Sequence, residues 1–202
     1  MKTLSFIGLL LLLSSGALAA AEQTTEKSRL KSGVFEPPRM APEFSLPSSE
    51  GGKFTLSENL GQPMVLSFGF SSCPQICPMT LANLVDVKQQ LGALSDQVQV
   101  VFMTVDPERD NPEQLRHYLA NFHPDFIGLT GAPEELATVR EAYGISTERE
   151  DYGKGQYDVH HSSFLYLVDR QGLLRSLVPF GTNPDDITHD LKILLQEDVS
   201  AL

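Results

Sequence analysis

The 202-residue chain holds two cysteines, Cys73 and Cys77, in the stretch Phe70-Ser71-Ser72-Cys73-Pro74-Gln75-Ile76-Cys77-Pro78. On a helical or nearly helical turn, residues i and i+4 share a side, so both sulfurs can reach one ligand or each other. A helix start also gathers unpaired backbone N–H groups and the positive end of the dipole, which favours thiolate over thiol. Thiolate binds metals and attacks disulfides alike. Two soft thiolates select Cu(I) or Zn(II) over the hard ions that carboxylates prefer. A purely structural disulfide is the weaker reading, because closing so short a loop gains little chain entropy. The cysteines alone leave metal binding and thiol–disulfide chemistry almost level.

A third ligand would separate these chemistries, and five histidines are available. His117 lies in a helical pattern, His123 in a turn before Pro124, and His189 in the C-terminal helical stretch; surface or core-edge roles suit all three. His160 and His161 differ, because they end a polar insertion and enter the apolar run Ser163 to Val168. Without further information such a histidine is more often structural than a ligand.

The elements that must position these residues follow from periodicity and punctuation. Met64 to Phe70 is an apolar run of strand length that ends at Ser71-Ser72-Cys73-Pro74, placing the cysteines beyond the carboxyl end of a buried strand. Pro78 suits the first turn of a helix that continues through Leu81, Leu84, Val87 and Leu91 to Gly92. Val98 to Val105 is the next predicted strand, and Asn111-Pro112 opens a helix. Phe126 to Leu129 is short and strand-like, and Pro133 to Tyr143 is helical. Thr147 to Tyr157 is a polar insertion, read as a loop or mobile hairpin. Ser163 to Val168 and Leu173 to Val178 flank a hairpin turn, and Asn183-Pro184 begins the last helix. A small hairpin around Gly51-Gly52 precedes them all. This order predicts an α/β fold, a central mixed sheet flanked by helices, with its reactive crevice beyond the strand ends.

Composition sets the compartment and the domain count. With 41% hydrophobic and 20% charged residues, the chain suits one globular domain, predicted over 41–202. Lys2, the apolar run Leu4 to Leu13 and Ala17-Leu18-Ala19 have the layout of a cleavable signal peptide over 1–20. Export to the periplasm follows, with membrane anchoring the outcome if the leader stays uncleaved. Residues 21–40 are polar, contain Pro37 and Pro38, and are expected to form a flexible tether. A net charge of −11 opposes binding to nucleic acid and anionic lipid.

Taken together, Phe70 to Pro78, Val105-Asp106-Pro107-Glu108-Arg109-Asp110 and Tyr157-Asp158-Val159-His160-His161-Ser162 resemble the Sco/SenC copper proteins. The similarity runs from about Ala41 to the C-terminal helix. It implies a thioredoxin-like fold and one copper ion, Cu(I) or Cu(II), bound by Cys73, Cys77 and His161. His161 matches the family's histidine because Ser162 follows it and Tyr166 lies five residues on; His160 stands where relatives commonly carry an acid. The resemblance also implies a metallochaperone for the copper-A centre of a respiratory cytochrome c oxidase. Its partners would be the copper-A-bearing subunit and an upstream copper donor or thiol reductant. The alternative is a thiol–disulfide oxidoreductase in which Cys73 and Cys77 are the redox-active pair and His161 is dispensable. A peroxidase of the same broad fold fits poorly, since the chain has no Trp to support a peroxidatic cysteine. Three ligands would leave a zinc site open, unlike structural zinc. Asp106 and Asp110 belong to the family's signature loop. They are read equally as a strand-to-helix turn, with Asp110 or Asn111 as cap, and as participants in copper transfer.

Overall fold

The computed structural model describes residues 29–197; the predicted leader and residues 21–28 of the predicted tether lie outside them. The framework is a six-stranded sheet. Its centre is β4 (Met64–Gly69), every residue of which is buried. An apolar run without alternation is what a strand covered on both faces requires. β4 pairs in parallel with β5 (Gln99–Thr104), which pairs in parallel with β6 (Phe126–Leu129). On its other side β4 runs antiparallel to β9 (Phe164–Val168), which continues to β10 (Leu173–Pro179) and β1 (Gly33–Met40).

Among the described residues four α-helices accompany the sheet: α1 (Ile76–Leu91), α2 (Pro112–Ala120), α3 (Pro133–Tyr143) and α4 (Pro184–Gln196). α1 and α4 pack together, and α2 packs on β6. Close approach of α2 depends on Gly128, where an added Cβ would lie 2.7 Å from Leu115 Cβ. Asn111 caps α2 by accepting from the Gln114 N–H at 2.9 Å, and Pro112 follows at the first helical position. The expected N-terminal hairpin is β2 (Ser45–Pro47) with β3 (Lys53–Thr55), turning at Gly51 and Gly52, both at positive φ. These findings bear out a mixed α/β sheet with helices around it.

Two expectations change. Residues 33–40, read as tether, form edge strand β1 on β10. Backbone hydrogen bonds to an edge need no apolar side chains, and most of β1 is exposed, so its polar sequence carries no strand signal. Its register shifts between Val34 and Arg39, the stretch holding Pro37 and Pro38, which have no N–H to give a ladder. The segment is also strapped to α4, where buried Asp190 accepts from the backbone N–H groups of Lys31 and Ser32.

The polar insertion is a hairpin, one of its two expected forms, but it extends through the histidines: β7 (Thr147–Gly153) pairs with β8 (Gln156–His161), turning at Lys154 with φ 55°. His160 and His161 lie in β8 itself rather than at the entry to β9. The hairpin forms its own two-stranded sheet and shares no ladder with the main one.

Candidate metal and thiol site

The two cysteines hang from the end of β4. Gly69, its last residue, leaves the space they need: a Cβ there would lie 2.8 Å from Cys77 Sγ and 2.7 Å from the Phe102 ring. A glycine at the close of an apolar strand is the signal for such an approach, and sequence reasoning did not use it. Phe70 and Ser71 then carry the chain to Cys73, and α1 begins at Ile76. Its N-cap position, Gln75, offers no side-chain cap. The Cys73 sulfur serves instead, accepting from the Cys77 backbone N–H at 3.4 Å. A sulfur that receives a helix's first N–H groups is stabilised as thiolate.

The pair is asymmetric. Cys73 is half-buried and Cys77 buried, and both are free thiols. The Cys73 thiol is pulled down to about 3, chiefly by its hydrogen bond with Cys77, with further help from His161 and from the backbone N–H groups of Cys77 and Gln75; burial opposes them. Cys77 is pushed well above the ordinary thiol range by the same neighbouring sulfur and by burial. One negative charge thus sits on the outer sulfur, and the inner one keeps its proton.

Asp110 fixes the loop that carries Cys73. Its carboxyl is 1% exposed and accepts from the Ser71 N–H at 3.0 Å, the Ser71 hydroxyl at 2.5 Å and the Thr104 hydroxyl at 2.7 Å. Asn111 takes the cap, so Asp110 turns inward and ties the end of β5 to the cysteine loop. Asp106 is also buried; it pairs with Arg109 and accepts from the Tyr157 hydroxyl at 2.8 Å. Neither aspartate directly contacts a cysteine through a hydrogen bond.

His161 arrives from β8. Its Nδ1 lies 2.9 Å from the Ser162 carbonyl, which can only accept, so Nδ1 carries the proton. In the neutral ring that leaves the Nε2 lone pair free, and Nε2 lies 3.7 Å from Cys77 Sγ. The ring also meets Phe70 edge-on, with centroids 5.9 Å apart. His160, one residue earlier, faces away and reaches Glu150 at 3.2 Å. His117, His123 and His189 are remote from the thiols in their contacts: Glu113, Asp125 and the Arg29 carbonyl respectively.

Among the described residues, no three His, Cys, Asp or Glu side chains already stand as a finished metal cage. The separation of Cys77 Sγ and His161 Nε2 nevertheless suits a shared ion. Bond lengths of about 2.3 Å to sulfur and 2.0–2.1 Å to nitrogen, at a near-tetrahedral angle, put two such donors about 3.6 Å apart. Two soft sulfurs and an imidazole are a donor set for copper or zinc. A shallow cleft beside Cys77 is lined by Ile76, Phe164 and Phe180, so the site has an apolar wall.

Residues 34–196 match the SCO1/SenC family. The SCO2-like protein of Rickettsia felis is 35% identical over 152 residues, 74% of each chain. Three further Rickettsia relatives are matched over 64% of their length. Among solved structures, copper-bound ScoI of Bradyrhizobium japonicum is 32% identical with a TM-score of 0.71, covering 76% of this chain and 98% of that one. BsSco, 27% identical with a TM-score of 0.63 over 79% of this chain and 96% of its own, is described as a member of the Sco family of cytochrome c oxidase assembly proteins with a disulfide switch. The thioredoxin-like fold expected from the resemblance is the fold of these neighbours, and the chain belongs to the SCO1/SenC family.

Proposed function

We propose that this protein is an exported copper chaperone that binds one copper ion through Cys73, Cys77 and His161. The observation that carries this reading is the 3.7 Å approach of His161 Nε2 to Cys77 Sγ, with Nδ1 holding the proton so that Nε2 presents its lone pair. Thiol exchange gains from His161 only a minor part of the lowering of the Cys73 thiol and does not require a nitrogen lone pair aimed at the inner sulfur. The copper-bound relative of the same fold supports the choice of ion.

Two thiolates and one imidazole nitrogen leave open positions on copper. An incoming thiolate can bind before a resident ligand departs, so the ion passes between proteins without entering solution. The recipient would be the copper-A-bearing subunit of a cytochrome c oxidase, in keeping with the assembly role stated for BsSco. Oxidation of the metal-free pair removes two electrons and the one proton left on Cys77 and joins the sulfurs, which abolishes both sulfur ligands. Loading therefore needs a reductant or donor upstream. The leader layout over 1–20 supports delivery in the periplasm, and among the described residues no helix is long and apolar enough to cross a membrane. We take the folded unit to begin at β1, ahead of residue 41.

One observation favours a second activity at the same site. A half-buried, low-pKa Cys73 backed by a buried, protonated Cys77 is the division of labour a dithiol reductant uses, the outer sulfur attacking and the inner one resolving. His161→Ala separates the two activities. Metal analysis of the reduced protein should find one copper per chain, and of the oxidised protein none. In the variant, Cu(II) binding and delivery to an oxidase copper-A domain should collapse while disulfide reduction persists. Undiminished delivery by His161→Ala would overturn the three-ligand reading.

A further inference from the structure

The hairpin that carries His161 has no ladder to the main sheet. Its base is closed upon itself, with the Ser146 and Ser162 hydroxyls 2.8 Å apart and the Ser162 N–H donating to the Ser146 carbonyl. What sets the position of the imidazole must therefore be side-chain contacts farther along the hairpin. Those contacts converge on one place. Because strand side chains alternate, Tyr157, Val159 and His161 share one face of β8, and Thr147, Arg149 and Asp151 share the matching face of β7. On that face the Tyr157 ring lies between two guanidinium groups, Arg149 at 3.6 Å and Arg109 at 4.0 Å from its centroid.

The loop after β5 supplies the other half of the contact. The Tyr157 hydroxyl donates to Asp106 Oδ1 at 2.8 Å, and Arg109 Nη1 donates to the Tyr157 carbonyl at 3.3 Å. Arg149 reaches Glu108 at 2.8 Å. Asp106 is itself fixed to the end of β5, its N–H donating to the Thr104 hydroxyl at 2.9 Å. Arg109 also lies over the Phe70 ring at 5.4 Å, the ring whose other contact is the His161 imidazole. One arginine thus touches the hairpin on one side and the cysteine strand's exit on the other. Apart from the Cys77–His161 contact and the bonds of His161 to the adjoining Ser162 and Ser163, every side-chain hydrogen bond among the described residues from the hairpin to the rest of the fold ends on Asp106, Glu108 or Arg109.

We propose that Tyr157, clamped by Asp106 and Arg109, is a latch that positions His161 against the cysteines and so decides whether copper is held by three ligands or two. The proposal rests on the copper reading above. Its consequence is selective for oxidation state. Cu(I) is satisfied by two thiolates, whereas Cu(II) prefers a tetragonal set that includes nitrogen. Opening the latch lets the hairpin carry His161 away, weakening the Cu(II) site while the cysteine pair keeps Cu(I).

The test compares Tyr157→Ala, Tyr157→Phe and His161→Ala in the reduced full chain. Cu(II) affinity is read from the thiolate-to-Cu(II) charge-transfer band and electron paramagnetic resonance, and Cu(I) affinity from competition with a chromophoric chelator. Tyr157→Ala should lower Cu(II) affinity by about tenfold or more, the range for removing an outer partner of a metal ligand. Its Cu(I) affinity should change much less. Tyr157→Phe, which keeps the ring between the arginines but loses the bond to Asp106, should fall in between. Tyr157→Ala added to His161→Ala should cost nothing further. An equal loss of Cu(II) affinity in both backgrounds would overturn the latch, because the tyrosine would then act without the histidine. So would equal weakening of Cu(I) and Cu(II). Failure of the wild-type protein itself to bind copper would overturn the copper reading instead, and that result is visible before any latch variant is made.

Discussion

The cysteines and the histidine of the candidate site are held in different ways. Cys73 and Cys77 belong to the junction of β4 and α1, where every residue of the strand is buried and Asp110 ties the loop to β5. His161 belongs to a hairpin whose strands pair only with each other and whose β7 residues are all exposed. Elements with few buried contacts open at lower free energy than the core they lean on. Two of the proposed ligands are thus fixed by the fold, and the third is held by side chains on a separable arm. For the proposed copper chaperone this is a useful division, since withdrawing one ligand would weaken the site without disturbing the framework.

The largest expected difference lies within the fixed half. Cys73, with its thiol drawn down to about 3, remains thiolate throughout the neutral and mildly acidic range, and protonates only as pH falls through that value. Alkylation of the reduced, metal-free protein at Cys73 should therefore proceed at a level rate from pH 7.5 to 5.5. An ordinary thiol, titrating near 8.5, would slow by about a hundredfold over the same interval. Cys77, buried and pushed upward, should stay unlabelled throughout. Mass spectrometry of each cysteine peptide gives both rates. A tenfold fall per pH unit at Cys73, or equal labelling of the two, would show that the sulfurs are equivalent and the frame imposes no asymmetry.

Next in size is the effect of cutting the frame's own tie. Asp110→Ala leaves the part-buried Ser71 N–H without an acceptor and removes the partner of two hydroxyls. Leaving such groups unpaired costs about 2–3 kcal/mol, read as a lower midpoint in urea unfolding with an unchanged slope. The latch residue Tyr157 should give a smaller global loss, because its hairpin lies outside the main sheet. If Tyr157→Ala destabilises the whole domain as much as Asp110→Ala does, the hairpin is part of the frame and the contrast between the halves fails.

The same contrast explains what the sequence could disclose. The frame was legible because burial imposes composition: Met64 to Phe70 had to be apolar, and the punctuation after it marked where the thiols leave the sheet. The arm was not. β7 and β8 are polar, so periodicity showed only an interruption, and the pairing of Arg109 with Tyr157 crosses 48 positions that no local pattern connects. β1 escaped for a related reason, being exposed and held by its backbone. His161 was found by its place before Ser162 and Tyr166, but the structure gives Tyr166 a separate task. Its hydroxyl donates to the Tyr143 carbonyl at 2.5 Å, within a buried cluster with Phe68 and Tyr143. Asp110 illustrates a choice that sequence left open. Either it or Asn111 could cap α2; the neighbour does so, which frees the aspartate to hold Ser71.

The smallest expected effect separates two adjacent histidines. His160 and His161 are consecutive on β8, so they point to opposite faces, and only the face shared with Tyr157 and Val159 looks toward the cysteines. His160 is largely exposed and spends its contact on Glu150, itself on the solvent side of β7. His160→Ala should leave copper affinity within about twofold and the melting temperature unchanged, since a surface pair of this kind contributes little. The comparison is sensitive because strand register is binary. A slip of one residue in β8 would exchange the two faces completely and bring His160 to the thiols in place of its neighbour. A His160→Ala protein that loses its Cu(II) spectrum, beside a His161→Ala protein that keeps it, would therefore reverse the assignment. It would also place the arm one residue out of the register from which the latch is derived.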